Sequence, residues 1–246
     1  MPYSTIIYTL KDHIATVTLN RPQAGNRINL EMAQELDEVC HLINQDDDIY
    51  VVILTGAGNK TFCRGSQPEK SAYKTAAAVA AIEKPVIAAV NGDALGPGLE
   101  LILSCDIRLA SDRAKFGFPQ VAGGTIPSDG GTQRLPRIVG RGKALELVLT
   151  AETITAKEAL EVGLVSQIVP PRELITEAEA LVGTIATKGP IALRFIKEAV
   201  NKGLDLTLEQ GLRLEADLYF LLHTTQDRTE GIKAFLEKKT PKFKGK

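Results

Sequence analysis

Histidine and cysteine, from which metal centres and many nucleophilic sites are built, are scarce: three of each in 246 residues. His13, His41 and His223 are scattered, with no metal-ligand spacing to cysteines or carboxylates. His41 falls on the polar side of a helical pattern, where a surface role is expected. Cys40, Cys63 and Cys105 are odd in number and widely spaced. That argues against a disulfide framework and for reduced thiols in a cytoplasmic protein. Excess charge of either sign is also missing: 29 Lys and Arg against 30 Asp and Glu leave a net charge of −1. No basic face for nucleic acid is therefore expected. The apolar runs are far too short to span a membrane, and MPYSTIIYTLKDH opens as a strand rather than a basic-then-apolar leader. No Gly-x-Gly-x-x-Gly motif follows a strand. GRGKA at 140–144 fails as a phosphate loop, because Arg137 stands where the first glycine is needed and Ala144 replaces Ser or Thr. The expectation is no metal, no separate cofactor, and no nucleic-acid or membrane partner.

What is present is ordinary globular material, 44% hydrophobic and 24% charged, in a chain long enough for a sizeable core. Thr5 to Leu10 and His13 to Asn20 read as a hairpin across Lys11-Asp12. Met32, Leu36, Val39 and Ile43 recur at helical spacing up to Asp46. Val51 to Thr55 is a β-branched buried strand. A helix over Thr75 to Glu83 precedes a strand from Pro85 to Val90, and a strand near Ile107 to Ala110 and a helix near Lys143 to Leu149 come later. From about Glu173 the pattern is helical: Ile191, Phe195 and Ala199 share one stripe, and Leu208, Leu212, Tyr219 and Leu222 another. Asp227 and Glu230 are spaced as a capping pair for the last helix.

The segment from Lys84 to Gly131 carries most of the chemical information. Its apolar strand runs into Asn91-Gly92 and then a glycine-rich turn that opens a helix, with Leu99, Ile102 and Leu103 as the apolar stripe and Glu100 in the first turn. Free N–H groups at such a turn can hold a developing negative charge, and a carboxylate one turn away can move a proton beside it. That pairing suits a carbonyl whose oxygen becomes an oxyanion.

LNRPQAGNRINLEMAQEL, KTFCRG, KPVIAAVNGDALGPGLEL, FGFPQV with GGTIPSDGGTQRLPRIVG, LTAETITAKEALEVGLVSQIVP and DRTEGIKAFLEKKTPKF together resemble, in order, the segments of the crotonase (enoyl-CoA hydratase/isomerase) superfamily over nearly the whole chain. The resemblance implies an α/β fold: a crotonase-like ββα spiral core over 1–190 and a C-terminal helical trimerisation region over 191–246 that forms part of the acyl-CoA site. It also implies a homotrimer or dimer of trimers, with coenzyme A as part of the substrate. By position, one oxyanion donor falls on the backbone of Ser66, and Ser66, Gln67, Pro68 and Glu69 would line the thioester and adenine side. The second donor position falls on Pro97.

Here the sequence departs from the family pattern. Proline has no backbone N–H, so either Gly98 takes over or a single donor remains. Pro97 is also a favourable first-turn helix residue. Glu100 matches the first of the two family glutamates, but Gln120 occupies the position of the second. An amide orients water but exchanges no proton at neutral pH. Asp129, in IPSDGG, is either a compensating acid/base or a turn residue. Arg64, before Gly65, either meets a CoA phosphate or substrate carboxylate or is solvated. The lysines of KKTPKFKGK are similarly open between CoA phosphates and solvent. The expected reaction is reversible hydration of a 2-enoyl-CoA. The alternatives are a double-bond isomerisation, another single-base reaction, or an acyl-CoA-binding homologue without turnover.

Overall fold

The computed structural model describes residues 3–66 and 73–246. Among the described residues, ten strands divide between two sheets. The first has the order β1 (Ile6–Lys11), β2 (Ile14–Leu19), β3 (Val51–Gly56), β5 (Val86–Val90), β7 (Ile107–Ser111) and β10 (Gln167–Val169). Only the β1–β2 hairpin is antiparallel. The second sheet has β4 (Thr61–Cys63), β6 (Asp93–Leu95), β8 (Lys115–Gly117) and β9 (Thr153–Thr155), with β8 and β9 antiparallel. Successive turns of chain place one strand in each sheet and then a helix. β3 and β4 lead to α2 (Thr75–Ala80), β5 and β6 to α3 (Pro97–Leu103), and β7 and β8 to α4 (Gly131–Val139) and α5 (Arg141–Thr150). This is the expected ββα spiral.

The hairpin, β3, β5 and β7 lie where the periodicity predicts them. β3 and β5 read as unbroken apolar runs because both of their faces are buried. Val52, Leu54, Val86 and Ala88 face the main core, while Val51, Ile53, Ile87 and Ala89 pack under Leu174, Ala178 and Val182 of α7 (Leu174–Ala186). α1 (Leu30–Gln45) starts where the Asn29 side chain accepts the Met32 N–H, and it buries Met32, Leu36, Val39 and Ile43. The strands of the second sheet have three residues each, too short to leave a period-2 signal.

α2 stops three residues before the expected Glu83. α6 (Ala156–Glu161) and the C-terminal helices α8 (Pro190–Gly203), α9 (Leu208–Leu222) and α10 (Gln226–Leu236) complete the chain. The expected cap of α10 is corrected. Thr225 is the N-cap and accepts the Arg228 N–H at 3.2 Å. Asp227 instead accepts the Lys244 and Gly245 N–H groups at 2.7 and 2.9 Å, and Glu230 accepts that of Lys242 at 3.0 Å. These carboxylates hold the C-terminal segment, not the helix start. α8 buries only Pro190 and α9 only Leu218, so Ile196, Val200, Leu208, Leu212 and Phe220 stay exposed.

Two buried asparagines shape the turn from β3 into β4. Asn26 accepts the Arg21 N–H at 3.0 Å and donates to the carbonyls of Ala57 and Thr61, both at 3.0 Å. Asn91 accepts the Gly56 N–H at 3.2 Å and donates to Gly58 and Thr61 at 2.8 and 3.2 Å. Buried carbonyls left without donors are costly. Asn26→Ala should therefore lower the unfolding free energy by about 3 kcal/mol, measured by urea denaturation. An unchanged midpoint would show that the turn is held by backbone pairing alone.

Candidate active site

The site grows from the end of β6. Gly96 takes φ +53 and ψ −122, a conformation suited to glycine. Its N–H donates to Gly117 O at 2.9 Å, and its carbonyl accepts the Glu100 N–H at 3.0 Å, closing the first turn of α3. Pro97 sits in that turn as a favourable N1 residue. The N–H groups of Gly98 and Leu99 have no acceptor among the described residues, as expected at a helix N-terminus. Gly98 lies directly on β4: an added Cβ would fall 2.1 Å from Cys63 O. All residues from Gly98 to Leu103 are buried, so α3 is enclosed on every side rather than along the stripe of Leu99, Ile102 and Leu103.

The loop after β4 lies against this turn. Gly65 has φ +96, and a Cβ there would lie 3.7 Å from Pro97 Cδ. Gly65 O accepts the Ile28 N–H at 2.9 Å. In the trans peptide that follows, the Ser66 N–H points the opposite way, without an acceptor among the described residues. Gln67, Pro68 and Glu69 lie outside the described residues. Gln120 approaches from a 3₁₀ turn, Pro119–Gly123, and a Cβ on Gly96 would meet its Nε2 at 3.1 Å. Gln120 Oε1 is buried and accepts no hydrogen bond among the described residues. The structure thus gathers Ser66, Pro97, Gly98 and Gln120 around one turn, with Glu100 one helical turn further in.

Glu100 is 1% exposed. Its Oε1 accepts the N–H groups of Asp129 at 2.7 Å and Gly131 at 2.9 Å, at the start of α4, where the helix dipole favours an anion. Oε2 takes no donor from the described residues. Burial raises the carboxyl pKa, the two amides oppose that, and the nearby Asp129 charge raises it further. Asp129 is itself raised by burial, against the Ala76 and Ala77 amides that its carboxylate accepts. The amide pair that grips Glu100 is not visible in IPSDGG as sequence; its one trace is the glycine pair opening α4. Arg64 pairs with Asp93 at 2.6 Å across β4 and β6. Cys40, Cys63 and Cys105 are buried and free, their thiols pushed up to about 12 by burial. Among the described residues no group of three or more His, Cys, Asp or Glu side chains is placed to hold a metal, and no helix is long and apolar enough to cross a membrane.

Comparison with known proteins bears on this arrangement. The family model described as enoyl-CoA hydratase/isomerase matches residues 9–246. The chain belongs to that family. Among its relatives, Bacillus subtilis YngF, whose name places it with the hydratases and isomerases, is 44% identical over 98% of both chains. The crotonyl-CoA hydratase of Syntrophomonas wolfei is 41% identical over 99% of both. A crystal structure of an enoyl-CoA hydratase from Bacillus anthracis superposes with a TM-score of 0.95 at 40% identity, covering 99% of this chain and 100% of that one. The crotonase-type fold and enzyme class inferred from the motifs therefore stand.

Two outcomes follow for this family member. Gly98→Ala should separate α3 from β4, lowering the melting temperature by several degrees, about 2–4 °C per kcal/mol lost in a chain of this size; an unshifted melt would mean the contact yields freely. Glu100→Gln should behave oppositely. Because the folded-state pKa of Glu100 lies above its unfolded value, wild-type stability falls as pH rises through that raised value. Glutamine keeps the acceptor oxygen without a proton to lose. Denaturation between about pH 4 and about pH 8 should show wild type losing ground to Glu100→Gln as pH rises; parallel curves would contradict the shift.

Proposed function

We propose that the chain catalyses reversible hydration of a 2-enoyl-CoA. The observation that carries this is Glu100: a buried carboxylate with one oxygen pinned by two amides and the other, among the described residues, unengaged, behind a turn whose N–H groups have no acceptor among those residues. The N–H groups of Ser66 and Gly98 would polarise the thioester carbonyl and hold the enolate oxygen. Each such donor contributes roughly 10²- to 10³-fold in rate. Pro97 offers none, so Gly98 is assigned the second place. Glu100 Oε2 takes a proton from water as the hydroxyl adds to C3, and the same proton is returned to C2. Gln120 orients the water through its unpartnered Oε1 without exchanging protons. The names of the relatives, a crotonyl-CoA hydratase among them, support the same reaction class.

Gln120 also favours a second reading, a single-base double-bond isomerisation, because one carboxylate suffices to move a proton along an acyl chain. Incubation with crotonyl-CoA and with a 3-enoyl-CoA, followed by mass spectrometry and chromatography of the products, separates the two. Hydration should appear with crotonyl-CoA. Glu100→Gln should reduce it by about 10²- to 10⁴-fold, and Gln120→Glu should raise it by supplying a second proton carrier. Conversion of the 3-enoyl substrate alone would establish isomerisation, and binding without conversion would leave only an acyl-CoA carrier.

The exposed apolar side chains of α8, α9 and α10, including Ile196, Val200, Leu208, Leu212, Phe220 and Phe235, support assembly through residues 191–246. A trimer or dimer of trimers is the proposed state, in the cytoplasm, where the free thiols stay reduced. Light scattering should give three or six chains per particle. A monomer at micromolar concentration would overturn the assembly.

A further inference from the structure

Asp129 joins the start of α2 to the loop that holds Glu100. It is 6% exposed, and both carboxylate oxygens are occupied. Oδ2 accepts the Ala76 N–H at 2.6 Å and Oδ1 accepts the Ala77 N–H at 3.3 Å, in the first turn of α2. Its own N–H donates to Glu100 Oε1 at 2.7 Å. Its carbonyl accepts Arg134 Nη1 at 2.9 Å, and the preceding carbonyl of Ser128 accepts Lys74 Nζ at 2.7 Å. Two glycines shape the loop so held. Gly130 has φ +101, and Gly131 fits only without a side chain, since a Cβ would fall 2.7 Å from Phe118 Cζ and 2.8 Å from Pro127 Cβ. Glycine pairs lose more conformational entropy on ordering than other residues, so this loop needs external pins.

We propose that Asp129 is a positioning residue, which anchors the 129–131 amides to the start of α2 so that Glu100 is held in its reacting orientation. It does not itself exchange protons with substrate. The proposal rests on Glu100 being the proton-transfer group. With the carboxylate removed, the α2 amides lose their acceptor, and the loop, left to its Lys74 and Arg134 contacts, can shift the amides that hold the Glu100 side chain. A displacement of about 1 Å in a reacting group costs on the order of 10²-fold in rate.

The test combines kinetics on crotonyl-CoA with hydrogen–deuterium exchange of segments 73–80 and 128–132, for Asp129→Ala and Asp129→Asn in wild-type and Glu100→Gln backgrounds. Asp129→Ala should lower kcat by about 10- to 100-fold with KM little changed, as loss of a transition-state geometry requires. Asp129→Asn keeps one acceptor oxygen and should recover part of the rate. In the Glu100→Gln background, Asp129→Ala should cost nothing further, because the two residues act as a unit. Exchange should quicken in both segments.

Wild-type kcat in folded Asp129→Ala would overturn the proposal, as would an equal loss in both backgrounds or faster exchange confined to 73–80. Asp129→Asn as inactive as Asp129→Ala, with one limb of the kcat pH profile gone, would make Asp129 an acid/base instead. Should Asp129→Ala not accumulate folded, Asp129→Asn carries the same comparisons. Should wild type not hydrate crotonyl-CoA, the hydration reading fails by itself, and exchange at 128–132 still decides the anchor.

Discussion

A buried carboxylate needs its charge answered, and in this protein two backbone amides at the head of α4 answer that of Glu100. Removing an ion from water costs several kcal/mol even after relaxation. Hydrogen bonds to a charged group return about 1.5–3 kcal/mol each. The amides alone therefore roughly balance the burial, and the pKa rises because the balance is incomplete. A carboxylate in that state holds a proton more readily than one in water, which is the property proton transfer beside an enolate requires. The special geometry nearby serves this one residue: Gly96 and Pro97 aim α3, Gly98 lets it rest on β4, and the glycine pair at 130–131 shapes the gripping loop.

The spiral explains why residues far apart in sequence meet around one turn. Each turn lays a strand in the small second sheet and then leaves it for a loop or helix. Because β4, β6 and β8 run parallel, their departing ends gather on one side. Ser66 leaves β4, Pro97 and Gly98 leave β6, and Gln120 leaves β8. Asn26 and Asn91 hold the turn into β4 from beneath, so the outermost of these loops starts from a fixed point.

Family membership and detailed chemistry are separate matters here. The fold and its enzyme class follow from close relatives across the full chain. Pro97 at the head of α3 and Gln120 beside it bring their own chemistry to that fold. The proline has no N–H to donate, and the amide exchanges no proton at neutral pH. Among the described residues, Glu100 and Asp129 are neighbouring buried carboxylates, the first held by the 129–131 amides and the second turned to the amides of α2.

Much of this was legible in the chain. The hairpin, β3, β5, α1 and the glycine-rich entry to α3 all follow from runs of residues whose neighbours in sequence are also neighbours in space. The motif order identified the family for the same reason, since local turns and helix starts are written locally. Other features had no such trace. Three-residue strands carry too few side chains for a period. The cap of α10 falls to Thr225 because a distant segment claims Asp227. Whether Asp129 faces a substrate or the α2 amides depends on residues some fifty positions away. The sequence by itself determined the longer elements and the candidate groups; the tertiary structure decided the short strands and which oxygen is engaged and which is free. Hydrogen-bond partners across the core are set by packing, which no local pattern encodes.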